Sequence, residues 1–195
     1  MTALAHHDEA HASAVDRLSE LASIGAGRAA GALATLLARP FEMRVPRARV
    51  LAPGHFDAPF AGKLAADPGA WAGALFDVEG GPGGVLAVLL PPACRDALLT
   101  ELLGENAGIE PQAESALREV GNIVASHALS AIGDLLGESV LPSLPRLELA
   151  GAPRELARLV AERAGDRPAL RIEVELRDRP GSLRSLLVWV PSEIS

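Results

Sequence analysis

The sequence predicts an α/β protein: one mostly antiparallel sheet of about six strands, with two long, equivalent helices on one face. Three observations carry this prediction. Apolar residues recur at helical spacing through two stretches, roughly 14–38 and 110–136. Short apolar strands come in pairs around turns rich in glycine and proline. A single ungapped shift of 99 residues also lays the first half of the chain on the second.

Residues 1–12, with His6, His7 and His11, read as a flexible lead-in rather than a metal site. The first helix then carries Leu18, Leu21, Ile24, Ala29, Ala32, Leu33 and Leu36 on one side and stops before Pro40. Arg44–Ala52 is strand-like, and a Pro/Gly-rich stretch follows from Pro53 to Gly69, with an apolar segment at 60–66. Residues 71–78 and 84–90 form a hairpin around the Gly-Gly-Pro-Gly run at 80–83. Pro91 and Pro92 start a helix to Leu103.

The second half repeats the plan. Its long helix closes at Gly137. Residues 139–149 are strand-like but interrupted by Pro142 and Pro145, which suits a sheet edge. A short amphipathic helix spans 153–163, and strands at 170–177 and 183–190 flank the turn at Arg179-Pro180-Gly181. Under the shift, nine of the 31 positions in 16–46 are identical to those in 115–145. Neither half has enough strands to close a core, so residues 13–195 are expected to be one domain of two repeats, about 13–109 and 110–195.

Composition narrows the function. A net charge of −7, a single lysine (Lys63) and no tyrosine argue against a nucleic-acid binder. No apolar run is long enough to span a membrane, and the N-terminus lacks the pattern of a secretory signal. Cys94 stands alone, which fits a reduced, cytoplasmic setting.

The residues that bear chemistry sit on the second long helix. Ser115, Glu119, Asn122 and Ser126 fall along one stripe, while Leu117, Val120, Ile123, Val124, Ala128 and Ala131 make a buried side. Asn122 is a mediocre helix former with no capping role ten residues into a helix. Its carboxamide offers both a donor and an acceptor, and so can orient a water. Gly121, Ser126 and Ser130 would keep that stripe low, as a docking surface requires. His127 and its repeat mate Arg28 read as a polar pair between helices, His55 as a loop residue, and Cys94 as structural. Gly80–Gly84 is a turn rather than a phosphate cradle, because a strand follows it. No cluster has metal-ligand spacing.

The pattern Ser/Asp-x3-Glu-x2-Asn-x22-Pro, set in ALREVGNI and PSLP, resembles the signature of the CheC, CheX and FliY chemotaxis phosphatases. The duplication, the wording LASIGAGRAAGAL and the length are most similar to CheC; the further C-terminal domain typical of FliY has no counterpart in this sequence. The resemblance implies a phosphatase of a phosphorylated CheY-like receiver domain. Asn122 would orient the attacking water, Glu119 would pair with a receiver lysine, and Ser115 and Ser126 would contact the receiver. Pro145 would be structural. The chain itself would bind no cofactor, since Mg2+ would sit on the receiver. The first copy keeps Asp16, Glu20 and Pro46 but has Ser23 in place of the asparagine, so it is expected to be a degenerate site. The alternative is a non-catalytic adaptor that binds a receiver or a CheD-type deamidase.

Overall fold

The computed structural model describes residues 2–60 and 67–192, with side chains from residue 12 onward. The elements are α1 (Thr2–Leu36), β1 (Phe41–Met43), β2 (Arg47–Leu51), β3 (Ala72–Glu79), β4 (Gly84–Leu90), α2 (Pro92–Leu103), α3 (Glu110–Leu136), β5 (Leu141–Pro142), β6 (Arg146–Glu148), α4 (Ala152–Ala164), β7 (Ala169–Asp178) and β8 (Arg184–Val190).

All strands join one sheet of order β1-β7-β8-β4-β3-β5, with β2 also on β7 and β6 also on β3. Every pairing is antiparallel. About six strands are expected and, among the described residues, eight form, because each proline-containing edge segment breaks into two short strands, one pair around Pro46 and one around Pro145. A proline cannot donate to the ladder, so such segments are confined to the edges.

Exchanging β1, β2, β3 and β4 for β5, β6, β7 and β8 reverses the strand order onto itself. At the centre, where β4 meets β8, Val88 lies opposite Leu187, 99 residues further on. The edge strands cross over. The first half's β1 and β2 pair with the second half's β7, and β5 and β6 pair with β3. Each half therefore completes the other's sheet edge.

Alternation along the strands gives the sheet two apolar faces. One packs under α1, α2 and α3 and includes Ala74, Phe76, Leu86, Val88, Ile172, Val174, Leu187 and Trp189. The other includes Trp71, Leu75, Leu89, Leu186 and Val188, covered by Leu156, Leu159 and Val160 of α4 and by Leu51 and Phe56. The second face breaks the pseudo-symmetry. Where α4 covers it in the second half, the first half uses the loop after β2. Phe60 stacks on Trp71 at 6.0 Å, and the buried Arg171 guanidinium lies 4.3 Å over the Phe60 ring. Arg171 also donates to the carbonyls of Ala58 and Pro59 and pairs with Glu173. The rest of the apolar segment expected at 60–66, and Lys63 with it, lies outside the described residues.

One other expectation needs correction. The stretch read as a lead-in is helical from Thr2, because nothing before Gly25 is a glycine or proline and the composition is alanine-rich. The side chains of His6, His7 and His11 lie outside the described residues. Among the described residues, no helix is long and apolar enough to cross a membrane.

Candidate functional site

The second long helix, α3, is placed by close backbone approach. Gly121 is buried against β3, and a Cβ there would lie 2.5 Å from the Cβ of Ala74. The helix also packs along α1, where a Cβ on Gly25 would come 3.0 Å from the carbonyl oxygen of Ala128. Gly121 thus faces the sheet and takes no part in the exposed stripe, contrary to the expectation. Leu117, Val120, Val124, Ala128 and Ala131 are buried as expected, while Ile123 is half-buried.

Opposite that side, Ser115, Glu119 and Ser126 are exposed and Asn122 is half-buried. Among the described residues, nothing hydrogen-bonds the Glu119 carboxylate or the Asn122 carboxamide, so both remain open to an external group. The two larger cavities lie elsewhere, about 420 Å³ beside Met43–Arg47 and about 290 Å³ beside Arg163 and Arg167 of α4. The stripe lines neither of them. It can complete a site on another molecule but cannot enclose a small substrate.

Pro145 is tied to this helix. The Arg118 guanidinium donates to the Pro145 carbonyl at 3.2 Å, joining the residue next to Glu119 to the corner between β5 and β6. That corner is braced from β3. The Ser143 N–H donates to the Asp77 carbonyl at 2.8 Å, and the Asp77 N–H donates to the Ser143 hydroxyl at 2.9 Å. The Ser143 hydroxyl in turn donates to the Leu144 carbonyl at 3.0 Å. Asp77 is itself paired with Arg163 of α4. The sequence offered no sign of the Arg118 bridge, since its partners are 27 residues apart and meet only when β6 pairs with β3.

The first copy differs in detail. Asp16 and Glu20 are exposed on α1, and Ser23 is half-buried with its hydroxyl turned toward the Met43 sulfur at 4.0 Å. Pro46 is half-buried at the β1–β2 corner, where the Arg44 N–H donates to the Glu175 carbonyl at 2.9 Å. Ser19, the repeat mate of Arg118, turns its hydroxyl onto the Val15 carbonyl at 2.8 Å and does not reach across.

The weaker candidates resolve simply. His127 and Arg28 are both exposed, not enclosed between helices, because α1 and α3 meet through small residues on a neighbouring side. His55 is an exposed loop residue. Cys94 is buried at the start of α2, and that burial pushes its thiol up to about 12, so no thiolate is available. Gly80, Gly81, Gly83 and Gly84 all have positive φ and form the β3–β4 turn. Among the described residues, no group of three or more His, Cys, Asp or Glu side chains could hold a metal.

Comparison with known proteins bears on this helix directly. The model of the CheC-like family matches residues 113–148, a segment that contains Ser115, Glu119, Asn122, Ser126 and Pro145. Over 141 residues, 69% of this chain, the sequence is 34% identical to the CheY-P phosphatase CheC of Bacillus subtilis. The chain belongs to the CheC-like family.

The match spans 66% of the Bacillus protein's length. Solved structures of FliY and CheX proteins share the fold of this CheC-like chain. FliY of Thermotoga maritima superposes with a TM-score of 0.69 at 19% identity, covering 92% of this chain and 89% of that one. CheX in the CheX–CheY–BeF3–Mg2+ complex of Borrelia burgdorferi gives 0.55 at 13% identity, covering 87% and 96%. The FliM–SpeE complex of H. pylori gives 0.65 at 12% identity, covering 92% and 88%, so the same fold also occurs in a protein named for other partners.

Proposed function

We propose that this CheC-like protein dephosphorylates a CheY-like receiver domain, with α3 of the second half supplying the groups that act on the receiver's aspartyl phosphate. The observation that carries this reading is the pairing of an exposed Glu119 with a half-buried Asn122 one turn away on α3, both uncommitted among the described residues. Asn122 enters the receiver's phosphorylation pocket. Its amide holds a water in line with the phosphorus, where its donor and acceptor fix both the oxygen and a proton of that water. Water oxygen bonds to phosphorus and the bond from phosphorus to the aspartyl oxygen breaks; phosphate leaves with the water's oxygen and protons, and the aspartate carboxylate stays on the receiver. Glu119 pairs with a receiver lysine and sets the pose. Mg2+ belongs to the receiver's own carboxylates.

Acyl phosphates hydrolyse unaided, so the acceleration required is small. Each tenfold step needs only about 1.4 kcal/mol off the barrier, within reach of one positioned amide. Ser115 has no activating base and serves as a contact residue with Ser126. The test is phosphate release from a phosphorylated CheY receiver with wild type, Glu119→Ala and Asn122→Ala. Faster release by wild type that is lost in Asn122→Ala supports the reading, and binding without faster release overturns it.

A second reading has one observation in its favour. The Ser23 hydroxyl, where the asparagine would be, is drawn toward Met43 and offers no amide. That copy can dock a receiver, or a CheD-type deamidase, without turnover. In this reading the protein is an adaptor, and the same assay separates the two.

A further inference from the structure

Among the described residues, the two most exposed large apolar side chains are Leu144, 89% exposed, and Val45, 80% exposed. They are not scattered. Each directly precedes its half's motif proline, and they are 99 residues apart, so they occupy equivalent corners of the pseudo-symmetric fold. An isolated surface leucine calls for no explanation. A repeated one, held outward at the equivalent corner of both halves, does.

The Leu144 corner is held rigid. Pro142 and Pro145 fix the backbone on either side of Ser143-Leu144. Ser143 is locked to Asp77 in both directions, and Arg118 holds the Pro145 carbonyl from the residue beside Glu119. The side chain therefore stands in solvent at low conformational cost, one residue before the Pro145 carbonyl that Arg118 of α3 holds. A pre-ordered apolar group beside a polar docking surface is the arrangement of an interface anchor.

We propose that Leu144 is the apolar anchor on which the receiver domain seats, and that Val45 is its shorter counterpart at the first copy. This rests on the receiver reading above. The occupant follows from continuity. The corner is bonded through Arg118 to the helix stripe that enters the receiver, so a receiver engaged by Asn122 lies against it. The repetition also favours a feature that travels with the motif over a patch serving contact between copies of this chain, which would need only one face.

The experiment measures binding and turnover separately. Binding uses a CheY receiver charged with beryllofluoride and Mg2+, and turnover uses the receiver's phosphorylated form. Leu144→Ser is expected to weaken binding about tenfold, equivalent to about 1.4 kcal/mol, and to raise KM while kcat at saturation is kept. Leu144→Met should bind within roughly twofold of wild type, because it keeps the apolar volume. Asn122→Ala should do the opposite, keeping affinity and losing kcat. Wild-type affinity in Leu144→Ser, with turnover lost in Asn122→Ala, overturns the anchor and leaves the phosphatase reading standing. Binding by wild type without any acceleration overturns the phosphatase reading, and the affinity of Leu144→Ser still decides the anchor. No binding by wild type overturns both. If Leu144→Ser disrupts self-association in sedimentation and not receiver binding, the corner is an interface between copies and the proposal fails.

Discussion

The two halves of this protein build equivalent corners with unequal care. In the second half the corner before the motif proline is braced three times, by the Ser143 backbone on Asp77, by the Asp77 N–H on the Ser143 hydroxyl, and by Arg118 on Pro145. In the first half the equivalent backbone bond remains, from Arg44 to Glu175, but Ser19 stands where Arg118 would be and bonds within its own helix. The half that keeps the asparagine is also the half with the stiffened corner. The missing amide and the missing brace fall in the same half; under the proposed function, that is the copy that need not hold a partner in a reactive pose.

The largest effect that would probe this comparison is on packing. Gly121→Val puts side-chain carbons where Ala74 already sits, with even the Cβ only 2.5 Å from that neighbour. Lifting α3 off β3 should destabilise the fold by about 3 kcal/mol. Ala22, the equivalent residue of α1, already carries a Cβ in its buried position, so Ala22→Val should cost less, about 1 kcal/mol. Urea unfolding of the two variants measures both. Equal costs would mean that the helices seat on the sheet in the same way and that Gly121 is not what sets the height of the Glu119–Asn122 stripe.

The hairpins give the next contrast. The β3–β4 turn is made by glycines at positive φ, whereas the β7–β8 turn is organised by Asp178, which is fully buried. Burial pushes the Asp178 carboxyl upward, but the Ser182 hydroxyl, the Leu183 N–H, the Arg39 charge and the Gly181 N–H outweigh it and hold the group below its ordinary value. The ionised form is therefore favoured by folding. Its contribution is complete above the unfolded carboxyl's pKa, about 3.9, and is lost as pH falls through the lower folded value. Asp178→Ala should cost about 2 kcal/mol at neutral pH by leaving donors at Leu183 and Ser182 unpaired. Glu79→Ala, at the exposed equivalent position, should stay within about 0.5 kcal/mol. Thermal unfolding at neutral pH and near pH 3 checks the sign, because the gap between wild type and Asp178→Ala should narrow in acid.

Turnover gives the third. Asn122→Ala should remove at least about 1.4 kcal/mol of barrier lowering, a tenfold loss of kcat, while Ser23→Ala should change phosphate release by less than about twofold. The reverse outcome would transfer the working site to the first half.

Much of this was legible in the chain because duplication writes the same physics twice. The 99-residue shift predicted the equivalence of α1 and α3 and the pairing of 72–78 with 171–177 as matching strands, and the sheet centre falls where Val88 meets Leu187. What escaped were features set by neighbours rather than by period. Helical spacing cannot say how wide the buried side is, so Gly121 was read as surface although Ala74 leaves it no room. His127 erred the other way, because α1 packs along Ala128 and Ile132 and leaves the next side of α3 in solvent. Pro142 and Pro145 signalled an edge but not that the edge would divide into two strands. The brace at Ser143 and the exposure of Leu144 depend on β5 and β6 crossing to β3, which no local pattern encodes.

The smallest expected effect is also the one that discriminates most. Arg118 is exposed and, among the described residues, makes a single hydrogen bond, to the Pro145 carbonyl. Arg118→Ala should therefore leave stability within about 0.5 kcal/mol of wild type. Released from that bond, the corner can sample more conformations, and ordering it on a partner costs more. KM for the phosphorylated receiver should rise about threefold, which corresponds to roughly 0.6 kcal/mol of binding, with kcat unchanged. Arg118→Lys should recover only part of this, because a flexible ammonium replaces a planar donor. Ser19→Ala, at the first half's equivalent position, should alter neither parameter, since its hydroxyl serves its own helix. A fall in kcat for Arg118→Ala comparable to that of Asn122→Ala would place the guanidinium against the reacting phosphoryl group. The difference between the two halves would then lie in chemistry supplied by an arginine as well as an amide, and not in the stiffness of a corner.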